Sequence, residues 1–301
     1  MEKVVVYAIG GNALSSPTEK DNQESSLVLA KVISDVIDLM EAGWRVVLTH
    51  GNGPQVGHLM SLDASQPMDE WVAATQGMIG HSIAINIQSI INKRNRPETT
   101  SVLLTRVLVD AEDKAFKFPT KPVGRVLSDE QVMKEDWDIA ETVNGPRRVV
   151  ASPKPIEILD LEVIKSLLNS GVIVICCGGG GIPVIVEGNN LKGVAAVIDK
   201  DHLSSLLAVN INASALIIST AVDCLKKNFG RDDEEDISEL SLEEAKKLIE
   251  NGEFPNGSMG PKVQSLIDAV TADSKMMCVI CSPGNAVKSL RRESGTLISS
   301  Q

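Results

Sequence analysis

Lys262 ends the run Gly257-Ser258-Met259-Gly260-Pro261-Lys262, a glycine-rich turn that reads as the opening of a helix with Pro261 at its first position. Behind it, Val263, Leu266, Ile267 and Val270 recur at helical spacing. A helix start presents unpaired backbone N–H groups and the positive end of a dipole, so a lysine there is electrostatically misplaced. An anion such as phosphate, lying between the ammonium and the amides, would resolve the conflict. Three more glycine turns each end an apolar run: Gly10-Gly11-Asn12, Gly51-Asn52-Gly53 and Gly178-Gly179-Gly180-Gly181. With no Cβ in the way, backbone donors in such turns approach phosphate oxygens closely. One such turn is well explained as the tight end of a strand. Four in one chain point to a single phosphoryl-transfer site, which needs donors, cations and a metal around an in-line transition state but little covalent chemistry from the protein.

Lys200 stands between Asp199 and Asp201 where a strand-like run gives way to a helical one. It suits a cation on the transferring group, with a neighbouring carboxylate that orients lysines or meets the metal indirectly. A surface salt-bridge cluster capping the helix fits the spacing equally well. Lys121, in Pro119-Thr120-Lys121-Pro122-Val123-Gly124, sits in a stiff proline-flanked turn able to offer an ammonium to a small anion. His50, His58, His81 and His202 have no obvious partner, and helix-face or loop positions suit them better than catalysis. The chain lacks the P-loop pattern, the protein-kinase motifs and G-x-S-x-G, and Gly51 to Gly57 misses the dinucleotide spacing by one residue.

With 301 residues, the chain is long enough for one large domain. Its 43% hydrophobic and 23% charged content is ordinary for a globular protein. A net charge of −11 argues against general nucleic-acid binding and makes each lysine beside a glycine turn more telling. No signal-peptide pattern opens the sequence and no apolar run approaches the roughly 20 residues of a membrane helix, so a cytoplasmic protein is expected. Of five cysteines, Cys278 and Cys281 have redox-motif spacing but lie in an apolar run, where buried thiols are the better reading. No cluster of His and Cys suggests a zinc site.

The elements that must position these residues follow a regular phrase. Val4 to Ile9 is an apolar run ending in Gly10, and Leu29, Val32, Ile33, Val36 and Met40 follow at helical spacing, closed by Gly43. Trp44 to Thr49 is the next strand. Leu167 to Gly181 repeats the construction of Leu39 to Gly53: helix end, capping glycine, buried strand, glycine turn. Neighbouring parallel strands whose carboxyl ends share one crevice are therefore expected. Glu70 to Asn92 reads as a helix, Ser101 to Val109 as a strand, and Ala195 to Ile198 as a short strand before a helix over His202 to Ile211. Ala215 to Ile218 and Cys278 to Cys281 read as strands, Lys226 to Glu239 as a solvated loop, and Ser241-Leu242-Glu243-Glu244 as a capping box. Asp110 to Arg148 has little apolar periodicity, three prolines and most of the local cations, and reads as an excursion from the sheet.

Taken together, Ala8 to Leu14, Thr49 to Gly57, Pro119 to Gly124, Arg147 to Pro153, Gly178 to Val184, Val197 to Asp201 and Gly257 to Lys262 resemble, in order and over nearly the whole chain, the carbamate kinases of the amino-acid kinase superfamily. The resemblance implies an α/β fold: a three-layer α/β/α sandwich around a mainly parallel sheet. It makes 1–301 one domain with a small protruding, lid-like subdomain at 112–148. It also implies a homodimer and the reversible reaction of ATP with carbamate to give ADP and carbamoyl phosphate, with Mg²⁺ carried by the nucleotide and no protein metal ligand. By the same resemblance, Lys200 and Lys262 hold the transferring phosphoryl group and Asp201 organises them. Gly10, Gly11, Asn12, Gly51, Asn52 and Gly53 line the small-substrate and phosphoryl site, and Lys121 reaches over the carbamate end. Gly178, Gly179, Thr220, Asp223, Met259 and Gly260 lie toward the nucleotide. The chain departs from the usual pattern at Lys114 and at Lys226-Lys227, where small or apolar residues are common. Two other readings remain: a relative acting on acetylglutamate, aspartate or a nucleoside monophosphate, and a non-catalytic nucleotide sensor.

Overall fold

The computed structural model describes residues 3–10, 19–63, 65–134, 136–142, 145–254 and 259–300. Strand β1 (Lys3–Ile9) is followed by helix α1 (Glu19–Glu41), strand β2 (Trp44–His50), and helices α2 (Gly53–Leu62) and α3 (Met68–Lys93). Strands β3 (Thr99–Val102), β4 (Arg106–Val109) and β5 (Lys121–Pro122) come next, then α4 (Asp129–Lys134), β6 (Ile139–Thr142), β7 (Gly145–Val150) and β8 (Pro155–Ile158). Helix α5 (Leu161–Asn169) leads to β9 (Val172–Ile175), β10 (Ile182–Glu187) and β11 (Asn190–Gly193), and α6 (Lys200–Asn210) to β12 (Ala215–Ser219). The remainder is β13 (Leu225–Lys227), β14 (Glu235–Ile237), β15 (Glu239–Ser241), α7 (Leu242–Glu250), α8 (Met259–Ala272), β16 (Met277–Cys281), α9 (Ala286–Leu290) and β17 (Thr296–Ser299).

Eight strands form the central sheet in the order β15-β17-β16-β12-β1-β2-β9-β3, parallel throughout except where β17 runs against β16. Alternate side chains enter opposite cores, as the pleat requires. Val5, Tyr7 and Ile9 join Val32, Val36 and Ile37 of α1 and Ile79, Ile83 and Ile87 of α3 on one face. Val6 and Ala8 join Ile164 of α5, Leu203 and Leu207 of α6 and Leu266 of α8 on the other. Burial on both faces is why β1 has no alternating pattern in the sequence. The result is the expected α/β/α sandwich. Strands β2 and β9, the two repeated phrases, are parallel neighbours, with Val47 opposite Val174. Cys278 and Cys281 fall in opposite cores and all five cysteines are free, so that spacing forms no redox or metal pair.

Several expectations need correction. The run 101–109 is two strands in different sheets, because the backbone N–H of Thr105 is bonded by the Gln76 side chain instead of a neighbouring strand. Among the described residues, Ala195 to Ile198 makes one bridge, Ala196 with Ala151; Ala196, Val197 and Ile198 are apolar because they are buried, the last two under the cleft, while Ala195 is exposed. Residues 226–239 contain the β13–β14 hairpin and the first residue of β15, with Leu225 and Ile237 buried beneath charged residues. The tail adds β17, too short to show a period. Helix α8 already includes Met259, two residues before Pro261, while Gly257 and Ser258 lie outside the described residues. Pro261 still falls in the first turn, where an amide N–H has no helical acceptor. A second sheet, β11-β10-β4-β8, and a third, β5-β7-β6, form apart from the central one. No helix among the described residues is long and apolar enough to cross a membrane.

Candidate active site

The carboxyl ends of β1, β2 and β12, with the tetraglycine turn after β9 and the loop after β16, open onto one cleft of about 1080 Å³. Its lining carries six cations, Lys31, Lys121, Arg147, Lys154, Lys200 and Lys262, against the acids Asp199, Asp201 and Asp223. In a chain of net charge −11, that is a local inversion of sign suited to an anionic ligand.

Asp201 is the centre of the charge arrangement. Its Oδ1 accepts from Lys200 Nζ at 2.5 Å and its Oδ2 from Lys262 Nζ at 2.8 Å, joining the starts of α6 and α8. Burial opposes the Asp201 charge, yet the two ammonium groups prevail and hold the carboxyl below its usual range. Burial likewise pushes the Lys200 ammonium down, and Asp201 counters it. Two residues earlier, Asp199 caps α6: its side chain accepts from the backbone N–H groups of Asp201 and His202. The other oxygen accepts from Lys121 Nζ at 2.5 Å. Burial resists ionisation of Asp199 too, and Lys121 outweighs it, keeping the carboxyl well below the carboxylate range. The capping part of the second reading holds, since Asp199 caps α6 and also anchors Lys121, but Lys200 and Asp201 are buried and do not form a surface cluster.

The glycine turns are braced from beneath. His50, at the end of β2, is buried and its pKa falls to about 4, chiefly through desolvation. The neutral ring lies with Nδ1 3.1 Å from Gly51 O, consistent with Nδ1–H donating to that carbonyl. A Cβ on Gly178 would stand 2.3 Å from His50 Nε2, and one on Gly179, which has φ +65°, would strike the Asn52 amide. Asn52 in turn donates to Thr75 Oγ1 at 2.9 Å. Gln76 Nε2 donates to Gly178 O at 2.9 Å while its Oε1 accepts from Thr105 N, so α3 fixes the tetraglycine turn to the β3–β4 corner. Thr75 and Gln76 were invisible to motif reasoning; polar residues at helical spacing inside an apolar stripe were the only available signal. Asp35 was missed for the same reason. Buried, with its pKa raised by desolvation, it accepts from Tyr7 Oη at 2.6 Å and from Gly284 and Ala286 N–H, tying α1 to the loop after β16.

From the β5-β7-β6 sheet, Thr120 to Val123 and Arg147 reach the cleft. The backbone at Gly124 packs directly on Gly57 of α2, where a Cβ would come within 2.0 Å of Gly124 Cα. Of the other sequence-derived candidates, Gly10, Gly51, Asn52, Gly53, Gly179, Thr220 and Asp223 line the cleft. Gly178, Met259 and Gly260 do not: Gly178 lies buried over His50, Gly260 is buried, and Met259 packs on the core. Gly11 and Asn12 fall outside the described residues. Asp223 accepts from Ser282 Oγ at 2.5 Å, linking the exits of β12 and β16. Lys226 is occupied by Glu234 and Asp236, and Lys114 lies in a 3₁₀ turn capped by Asp113. Among the described residues, no three His, Cys, Asp or Glu side chains could cage a metal ion.

A parallel sheet with glycine turns and paired lysines at its carboxyl rim defines a phosphoryl-transfer enzyme of the α/β/α type. The model of the amino acid kinase family matches residues 3–282. Carbamate kinase of Clostridium perfringens is 41% identical over 98% of this chain and 99% of its own. That of Halobacterium salinarum is 38% identical over 97% of each. Among solved structures, carbamate kinase from Giardia lamblia bound to AMP-PNP superposes with a TM-score of 0.87 at 36% identity, covering 99% of this chain and 98% of the other. The chain belongs to the amino acid kinase family and, within it, to the carbamate kinases.

Proposed function

We propose that this chain catalyses reversible phosphoryl transfer between ATP and carbamate, giving ADP and carbamoyl phosphate. The observation that carries the reading is the Lys200–Asp201–Lys262 bridge, with Lys121 tied to the adjacent Asp199 at the same rim. Carbamate is already anionic and nucleophilic, so no general base is needed. One carbamate oxygen forms the new bond to the γ-phosphorus as the bond to the β,γ-bridging oxygen breaks and ADP leaves. The difficulty is repulsion between two anions, and the ammonium groups of the cleft reduce it; the amides of Gly10 and Gly51 already donate to Ser219 O and Ile9 O. Lys200 and Lys262 act on the transferring group, and Asp201 holds them in place. Gly10 and Gly51 to Gly53, with Gly11 and Asn12, serve the small substrate and phosphoryl group. Gly179, Thr220 and Asp223 serve the nucleotide, with Gly178, Met259 and Gly260 supporting that region.

The donor set fits a Mg²⁺ ion that arrives on the nucleotide phosphates and keeps much of its water shell, with Asp199 or Asp201 meeting it at most indirectly. Such an ion would neutralise phosphate charge. The segment 112–148 serves as a lid over the carbamate end, and the active form is a homodimer in the cytoplasm. The test is a coupled assay of ATP formation from ADP, Mg²⁺ and carbamoyl phosphate, run beside acetylglutamate, aspartate and nucleoside monophosphates with ATP. Turnover confined to carbamoyl phosphate is expected. Binding of ADP without turnover would instead identify a sensor.

A further inference from the structure

Two adjacent arginines on β7 point to opposite faces of the strand, as its pleat demands. Arg148 lies over the Trp137 ring, 4.7 Å from its centroid, and faces away from the cleft. Arg147 lines the cleft. Its Nη2 donates to Gly124 O at 2.6 Å, and its buried Nε finds no acceptor among the described residues. Nor does any carboxylate pair with it among those residues, whereas Lys121, Lys200 and Lys262 each have one. A half-buried cation loses hydration, and burial pushes this guanidinium's pKa down with no counter-charge to offset it. A planar fork with an unfilled donor, facing a cleft that is already cationic, is suited to an anion with two oxygens in one plane.

We propose that Arg147 is a substrate-binding residue, a second cation that the β5-β7-β6 sheet brings to the cleft, whose ligand is the carboxylate of carbamate and the carbonyl end of carbamoyl phosphate. This assignment rests on the carbamate kinase reading and extends it to the residue that recognises the small substrate. A lysine or arginine on the phosphoryl group alone would serve any phosphate donor; a guanidinium on the planar end selects for that end.

The experiment measures ATP formation by the full-length enzyme while carbamoyl phosphate and ADP are varied separately. Arg147→Ala is expected to raise KM for carbamoyl phosphate roughly ten- to a hundredfold, the usual consequence of losing a charged hydrogen bond, with KM for ADP within about twofold of wild type. Arg147→Gln keeps an N–H donor for Gly124 O but removes the cation, and it is expected to share the defect. Arg148→Ala is expected to leave KM for carbamoyl phosphate near wild type. An unchanged KM in Arg147→Ala, full recovery in Arg147→Gln, or equal rises for both substrates would overturn the assignment while the reaction itself stood. A wild-type enzyme that forms no ATP would overturn the reading beneath it as well.

Discussion

Lys121 Nζ stands 2.5 Å from Asp199 Oδ2, so a cation borne by the β5-β7-β6 sheet is anchored to the cap of the helix that carries Lys200 and Asp201. One carboxylate thus serves two ends of the site. Its Oδ1 orders the first turn of α6, and its Oδ2 holds the neighbouring sheet down on the cleft. Asp199→Asn separates the two roles, because asparagine caps a helix as well as aspartate does. The Asp199 pKa is depressed in the folded state, so the ion pair stabilises fully above the ordinary carboxylate pKa of about 4 and is lost as pH falls below it. Wild type is expected to melt above Asp199→Asn at pH 7, with the difference shrinking below about pH 4. A constant difference across that range would refute the ionic role.

Lys121→Ala removes the partner of that contact and one of the cations that line the cleft. Its main effect is expected on KM for carbamoyl phosphate, with a smaller effect on kcat. Steady-state kinetics with both parameters at wild-type values would remove Lys121 from the site.

Asp201 compensates two ammonium groups at once, so its variants and theirs behave differently. Lys200→Ala or Lys262→Ala is expected to lower kcat by about 10²–10³, as losing one preorganised donor does, with the fold retained. Asp201→Ala strands Lys200, which is only 9% exposed, and is expected to cost about 3–5 kcal/mol of stability, read from denaturant midpoints. Asp201→Asn has a sign that can be checked. Burial already lowers the Lys200 pKa and Asp201 opposes this, so losing the carboxylate charge lowers it further and moves the alkaline limb of the pH–rate profile toward neutrality. An unmoved limb would contradict the coupling.

How much of this was legible in the sequence differs from residue to residue. The sandwich followed from buried runs such as Val4 to Ile9, and the adjacency of β2 and β9 from a repeated phrase, because both signals are local. Lys121, Lys200 and Lys262 were legible as candidates because each sits in a turn with glycine, proline or aspartate. Their mutual geometry was not: the carboxylates at Asp199 and Asp201 choose partners 78 and 61 positions away. Gln76 and Asp35 escaped notice because a polar side chain that satisfies distant backbone groups leaves no periodic trace. Ala195 to Ile198 misled because burial under a cleft and burial within a sheet select the same residue types.

His50 gives a second dependence on pH, of the same sign but in a different window. Its folded pKa of about 4 lies below the ordinary histidine value of about 6.5, so the unfolded chain binds the extra proton between these limits. Stability conferred by the neutral buried ring is complete above about pH 6.5 and is lost as pH falls toward 4, by up to about 3 kcal/mol. His50→Asn keeps a donor for Gly51 O and removes the titration. Its stability should therefore fall less steeply than wild type between pH 6.5 and 4, measured by chemical denaturation. Parallel slopes would show that the ring is protonated as readily in the fold as outside it.

Gly57 offers a case in which stability and activity should part. It lies within α2, where alanine is ordinarily favoured over glycine by about 1 kcal/mol. A Cβ there, however, would stand 2.0 Å from both Gly124 N and Gly124 Cα, a backbone clash that no rotamer change relieves. Helix α2 is held by Val56 and Met60 and begins at the Gly53 turn, so the less costly response is displacement of the β5-β7-β6 sheet. That movement would carry Lys121 away from Asp199 and Arg147 away from the cleft while the central sheet keeps its packing. Gly57→Ala is therefore expected to melt within a few degrees of wild type, yet to need at least about tenfold more carbamoyl phosphate for half-maximal rate, the scale of one lost charged contact. Normal kinetics in a folded Gly57→Ala enzyme would mean that close seating of Gly124 on α2 has no part in turnover.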